Sequence, residues 1–253
     1  MPGTLVLLRH GQSTWNELNL FTGWHDVPLT PRGIAEATAA GTTMAAAGLT
    51  FDEAHTSLLV RAIETNRLAL EAMGATTTTI HRSWRLNERH YGALQGLNKQ
   101  ETTARHGETQ TTLWRRSFDV PPPPVDTASP EHPLSDPTYQ QLVREGVDAS
   151  LLPATECLHD VLIRVLPYWN ETIRPRLVAG LNVLVTAHGN SLRALIMHLE
   201  HLSADDIAEI NVPTGVPRRY HFTPAMDVAS VGYLGDPEQI TKAAEAVARQ
   251  ASR

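Results

Sequence analysis

Two apolar runs constrain this chain more than any other feature. Leu5-Val6-Leu7-Leu8 and Val183-Leu184-Val185 each lead into a histidine followed by glycine, at Arg9-His10-Gly11 and Ala187-His188-Gly189. Such runs read as buried strands, and strands that alternate with helices imply an α/β fold: a mainly parallel sheet with helices on both faces. In an open sheet of that kind, ligands bind at the carboxyl ends of the strands. Two strand-end histidines far apart in sequence thus have a route to one ligand, although spacing alone does not prove that they meet.

The intervening sequence supports alternation. Thr14 to Pro31 is polar and rich in turn formers; Thr30-Pro31 opens a helix that runs to about Ala47 and is closed by Gly48. Phe51 to Thr56 reads as a strand, Leu58 to Met73 as a helix, and Thr79-Ile80 as a further short strand. Trp84 to Gln95 crowds charged and aromatic residues without periodicity, the mark of a site or interface. Gln100 to Phe118 reads as largely helical, Leu158 to Leu177 as a long amphipathic helix and Ser191 to Leu199 as another. Prolines at 121–124, 130, 133 and 137 predict an extended surface excursion near 119–138, and the tail from about 235 ends in a short helix. With 253 residues, 42% of them hydrophobic, residues 1–253 are expected to form a single domain with these decorations.

Composition excludes several functions. A single cysteine, Cys157, rules out an internal disulfide framework and a cysteine-based zinc site. No window approaches the roughly 20 apolar residues of a membrane helix, and no basic stripe with interleaved aromatics suggests nucleic acid. A soluble cytoplasmic protein is expected, with no membrane or nucleic-acid partner. The net charge of −6 opposes anionic ligands globally, yet arginines concentrate near the motifs, so a local cationic pocket is expected.

Phosphoryl transfer asks for an imidazole nucleophile, a neighbouring guanidinium to grip phosphate oxygens, and a glycine that lets backbone approach closely. Arg9, His10 and Gly11 supply these. Glu88, within Leu86-Asn87-Glu88-Arg89-His90-Tyr91-Gly92, is the candidate acid/base and is expected to be partly buried. Arg61 is a candidate clamp for the transferring group. Lys99 and Arg115-Arg116 are candidates for a carboxylate or second phosphate, and Ser13, Asn16, Thr22 and Gly23 for neutral donors. Each of these, taken alone, has an ordinary structural explanation. His198 and His201, three apart beside Glu200, read as a solvated helix face because no third metal ligand stands nearby.

Taken together these residues resemble the cofactor-dependent phosphoglycerate mutase family, within the histidine phosphatase superfamily. The likeness runs from Leu5 to about Pro217. The stretches Glu88 to Lys99 and Trp114-Arg115-Arg116-Ser117-Phe118 look specific to the mutases. The resemblance implies a phosphoglycerate mutase-like three-layer sandwich, with His10 as the residue that becomes phosphohistidine and Glu88 as proton donor and acceptor. It makes His188, Arg9 and Arg61 the phosphoryl clamp. It gives substrate contacts to Ser13, Asn16, Thr22, Gly23, Tyr91, Lys99, Arg115, Arg116, Gly189 and Asn190. It implies interconversion of 3-phosphoglycerate and 2-phosphoglycerate, an enzyme primed by 2,3-bisphosphoglycerate without a metal ion, and homo-oligomers, dimers or tetramers. A neutral His10 and a cationic His188 would suit these roles, so their pKa values are expected to be pushed apart. Thr138 departs from the arginine more common in the family, and Ser13 favours mutase over bisphosphoglycerate synthase. The rivals are a phosphatase of the same superfamily, in which water captures the phosphohistidine, and a silent phosphate-binding module.

Overall fold

The computed structural model describes residues 1–248. Six strands form one sheet: β1 (Leu5–Arg9), β2 (Glu53–Thr56), β3 (Thr79–Arg82), β4 (Val183–Ala187), β5 (Arg218–Phe222) and β6 (Val228–Tyr233). Their order is β3-β2-β4-β1-β5-β6. The first four in that order are parallel; β5 and β6 extend the sheet antiparallel beside β1. The mainly parallel sheet expected from the sequence is present, with an antiparallel pair at one edge.

The period of two along β1 divides the core in two. Leu5 and Leu7 join Val183 and Val185 against the helices Leu158–Tyr168 and Gly189–Glu200. Val6 and Leu8 join Leu184 and Ala54 against the helices Pro31–Ala46 and Val60–Ala72. All of β1 and β4 is therefore buried on both faces, which explains why each reads as an unbroken apolar run. Each such Leu or Val removed from water contributes about 1.5–3 kcal/mol.

Helix Pro31–Ala46 begins where the sequence placed it. The Thr30 side chain accepts the Gly33 N–H at 3.1 Å, and Pro31 occupies the first turn. Its buried stripe of Gly33, Ala37, Ala40, Gly41 and Met44 consists mostly of small residues. A Cβ on Gly41 would lie 2.2 Å from the Ala69 carbonyl oxygen, so the two helices on this face cross with backbones nearly touching. The helical run from Leu158 passes through a π-helical stretch, Trp169–Ile173, just after Pro167, whose ring nitrogen has no proton to donate. Between Pro121 and Pro137 the chain is largely irregular and mostly exposed, interrupted by one short turn, Pro133–Ser135. Beyond it, Tyr139 and Leu152 join Trp24 and Trp84 in a small separate cluster. Among the described residues no helix is long and apolar enough to cross a membrane.

Gly11 and Gly33 hold the loop after β1 against the start of helix Pro31–Ala46. A Cβ on Gly11 would lie 2.2 Å from the Gly33 carbonyl oxygen, and one on Gly33 would lie 2.0 Å from that of Gln12. Gly33→Ala is expected to lower stability by about 1–3 kcal/mol through overpacking, seen as a lower urea midpoint with an unchanged slope. An unchanged midpoint would show that the loop can retreat freely.

Candidate active site

The β1–β4 register pairs Arg9 with Ala187, so the next residues, His10 and His188, emerge side by side. Their ring centroids lie 4.9 Å apart at 60°. Strand β2 lies on the other side of β4 and pairs Thr56 with Thr186, which brings Ser57 to the same edge. Its Oγ lies 2.7 Å from His188 Nε2. The two histidines inferred to have a route to one ligand thus meet.

His10 Nδ1 lies 2.7 Å from the Gly11 carbonyl oxygen. A carbonyl only accepts, so Nδ1 carries the imidazole proton and Nε2 keeps its lone pair. Burial, reinforced by the Arg61 and Arg9 cations, holds His10 well below the ordinary histidine range. His188 shifts the same way, first through burial, then through Arg61 and His10. The expectation of a cationic His188 therefore fails: a fully buried imidazole beside two guanidinium groups is kept neutral.

Glu88 stands on irregular backbone after the short turn Trp84–Leu86, and a buried clamp fixes that segment. Arg164 reaches across from helix Leu158–Tyr168 and donates to the carbonyls of Arg85, Asn87 and Glu88 at 2.7, 3.0 and 2.9 Å. It also pairs with Glu156 at 2.6 Å, while the other oxygen of Glu156 accepts the His90 N–H at 2.7 Å. Trp24 Nε1 donates to the Glu88 carbonyl as well. Glu88 is 7% exposed, so the partly buried carboxylate expected is buried almost completely. Its Oε1 accepts three N–H groups: Arg89 N at 2.7 Å, Asn190 Nδ2 at 2.9 Å and Asn190 N at 3.1 Å. Oε2 faces Gly189, where a Cβ would lie 3.6 Å away. One oxygen is saturated as an acceptor, and the other is the atom available for proton transfer.

Arg9, His10, Asn16, Thr22, Arg61, Glu88, Tyr91, Lys99, Arg115, Arg116, Gly189 and Asn190 all line one cleft. The local cationic pocket expected in an acidic protein is there. Burial, with Arg115 and Arg9 nearby, pulls Lys99 down to about 7. Arg61 Nη1 and Nη2 hold the carbonyls of His25 and Gly23 at 2.9 and 2.8 Å, and Arg9 Nη1 holds that of Val212 at 2.7 Å. The Nε of each is buried without a partner. Buried donors left unmet are costly, and an anion with several oxygens would satisfy them.

Three of the residues picked from the sequence do not line the cleft. Ser13 is fully buried and caps the helical turn Thr14–Glu17, its Oγ accepting the Asn16 N–H at 3.2 Å. Gly23, at φ +56°, presents its carbonyl to Arg61. His188 is fully buried, its ring against that of His10. Conversely, Arg193 and Val247 line the cleft and were not singled out, nor was Arg164 behind it. The signal for both arginines is a charge within an apolar helical run, Leu192-Arg193-Ala194 and Ile163-Arg164-Val165.

Removing one partner of a buried ion pair leaves the other charge uncompensated. Arg164→Met is therefore expected to cost about 3–5 kcal/mol, read by chemical denaturation, and to loosen the Glu88 segment. A loss below about 1 kcal/mol, as for an exposed pair, would contradict the clamp.

The model of the histidine phosphatase superfamily (branch 1) matches residues 5–134. The chain is 52% identical over 250 residues to a protein of Xylella fastidiosa (strain M12) named 2,3-bisphosphoglycerate-dependent phosphoglycerate mutase, covering 99% of this chain and 98% of that one. Among solved structures it is similar to a mycobacterial glucosyl-3-phosphoglycerate phosphatase, with a TM-score of 0.67, 21% identity and coverage of 91% and 96%. It is also similar to an alpha-ribazole phosphatase from Shigella flexneri, with a TM-score of 0.66, 21% identity and coverage of 92% and 96%. These two likenesses concern the fold alone. The near full-length match, together with the strand-end histidine pair, places the chain in the histidine phosphatase superfamily, in its family of 2,3-bisphosphoglycerate-dependent phosphoglycerate mutases.

Proposed function

We propose that this cleft interconverts 3-phosphoglycerate and 2-phosphoglycerate through a phosphohistidine at His10. The observation that carries the reading is the arrangement of His10 Nε2 and Glu88 in one cleft with a second cationic group, Lys99, Arg115 and Arg116. A phosphatase needs to hold only the phosphoryl group that it transfers. A mutase must also grip the other end of a doubly anionic molecule and keep water out while the two ends exchange.

The residues suit a bisphosphorylated primer: orphaned buried donors on Arg9 and Arg61 at one end, the cations Lys99, Arg115 and Arg116 at the other. When bound, 2,3-bisphosphoglycerate supplies the phosphoryl group that loads His10. His10 Nε2 is the nucleophile, its proton kept on Nδ1 by the Gly11 carbonyl. Arg9 and Arg61 stabilise the charge spread over the transferring oxygens, so positioning and electrostatics supply the catalysis with no metal ion in the reaction scheme. Glu88 Oε2 takes the proton of the substrate hydroxyl as it is phosphorylated and returns one to the oxygen that leaves in the second half. Ser13 and Gly23 act behind the cleft by shaping its loops; Asn16, Thr22, Tyr91, Gly189 and Asn190 line it as substrate contacts. We also read the chain as one domain that acts in the cytoplasm as a homo-oligomer, a dimer or tetramer, on small-molecule phosphoglycerates. The family resemblance supports these points.

Phosphorus NMR with 3-phosphoglycerate, a trace of 2,3-bisphosphoglycerate and a chelator tests the reaction. A 2-phosphoglycerate signal that is absent with His10→Ala is expected; inorganic phosphate alone would make the protein a phosphatase. Glu88→Gln is expected to lower kcat by about 10²–10⁴-fold.

Lys99 gives the site a pH dependence. Its ammonium is present below about 7 and lost above it, so the sign is toward weaker anion binding as pH rises through that value. KM for 3-phosphoglycerate is expected to climb above pH 7. Lys99→Met should raise KM at pH 6 by about tenfold or more, the worth of a hydrogen bond to a charged group, and remove that climb. Comparing the two profiles separates Lys99 from the ionisation of the ligand itself. Parallel profiles would exclude Lys99.

A further inference from the structure

Arg193 is an arginine on the cleft whose guanidinium is held by the protein. It is 4% exposed, on helix Gly189–Glu200 among Leu192, Ala194, Leu195 and Ile196, all of them fully buried. Arg9 and Arg61 each leave Nε unpartnered, but each of the three guanidinium nitrogens of Arg193 is engaged by protein. Nε and Nη2 donate to the Ile207 carbonyl at 3.2 and 2.7 Å, and Nη1 donates to Asn190 Oδ1 at 3.0 Å.

That last bond has a consequence for Glu88. An asparagine amide has one accepting and one donating end, and either can face a neighbour. Arginine has no acceptor, so Arg193 fixes the oxygen end of Asn190 toward itself. The Nδ2 end then faces Glu88 Oε1 at 2.9 Å and the Tyr91 hydroxyl at 3.1 Å. A flipped amide would set Oδ1 against the carboxylate, two acceptors in contact. The order Ile207 carbonyl, Arg193, Asn190, Glu88 is a chain in which each member orients the next. It ends at the oxygen of Glu88 that is not used for proton transfer.

We propose that Arg193 is a positioning residue for the Glu88 carboxyl, acting through the amide of Asn190 to reserve Oε2 for the substrate proton. The inference rests on the reading of Glu88 as acid and base. A residue that only gripped an anionic ligand would act on affinity. A residue that aims the acid acts on turnover, because a displacement of about 1 Å at a reacting group can cost on the order of 10²-fold.

The test is a double-mutant cycle on the full-length enzyme, with kcat and KM for 3-phosphoglycerate measured for Arg193→Gln, Asn190→Ala and the pair. Arg193→Gln is expected to lower kcat by about ten- to a hundredfold with KM nearly unchanged, and to add little once Asn190 is already alanine. Independent sites would instead multiply their effects. Arg193→Lys, which keeps a cation beside the Ile207 carbonyl, covers the case in which glutamine unfolds the helix. It should fold and recover most of the lost kcat. A rise in KM at constant kcat, multiplicative effects in the cycle, or a well-folded lysine variant as slow as glutamine would each overturn the proposal. Glu88→Gln, run alongside, separates the two claims: full turnover in that variant would remove the acid/base role itself, whatever Arg193 does.

Discussion

The parallel pairing of β1 with β4 is the constraint on which the rest of the site depends. One register, Arg9 against Ala187, sets two histidines nearly 180 positions apart in sequence at adjacent strand ends. A slip of a single residue would turn every β1 side chain to the opposite face of the sheet. Leu5 and Leu7 would leave the helices Leu158–Tyr168 and Gly189–Glu200, and Val6 and Leu8 would leave the helices on the other face. The energy that forbids the slip is ordinary apolar burial. The catalytic geometry is thus held by residues with no chemistry of their own.

Around that fixed edge the protein gathers more positive charge than its overall composition suggests. Burial pulls Lys99 down to about 7, Arg193 to about 9 and Arg61 to about 10. Burial also keeps both imidazoles neutral. Crowded, desolvated cations with unmet donors make a poor resting state and a good anion site. A phosphoryl group that enters satisfies several of them at once. The preorganisation is sustained from behind by groups that never reach the cleft: the Arg164–Glu156 pair and the tight contact between Gly11 and Gly33.

Much of this was legible in the chain. The unbroken apolar runs of β1 and β4, the Thr30-Pro31 helix start and the aperiodic, charged stretch after Trp84 each pointed to a structural consequence that the fold contains. The residues themselves suggested His10, His188 and Glu88, and the family likeness gave His188 its place in the phosphoryl clamp. What stayed hidden depends on depth. Nothing in the sequence near His188 says that its ring is fully buried, so a cationic state looked reasonable until its surroundings were known. Arg164 and Arg193 sit in apolar helical runs whose partners, Glu156 and the Ile207 carbonyl, come from elsewhere in the fold. Val247 reaches the cleft from the C-terminal helix, Pro237–Ala248, beyond the stretch in which the likeness could be followed.

The identity of the phosphorylated atom tests the central claim most directly. The Gly11 carbonyl occupies Nδ1 of His10, which leaves Nε2 as the nucleophile. The enzyme loaded from 2,3-bisphosphoglycerate and examined by heteronuclear phosphorus–proton NMR should show one phosphohistidine, at His10, bonded through Nε2. Attachment through Nδ1, or to any other residue, would contradict the geometry on which the mechanism is built.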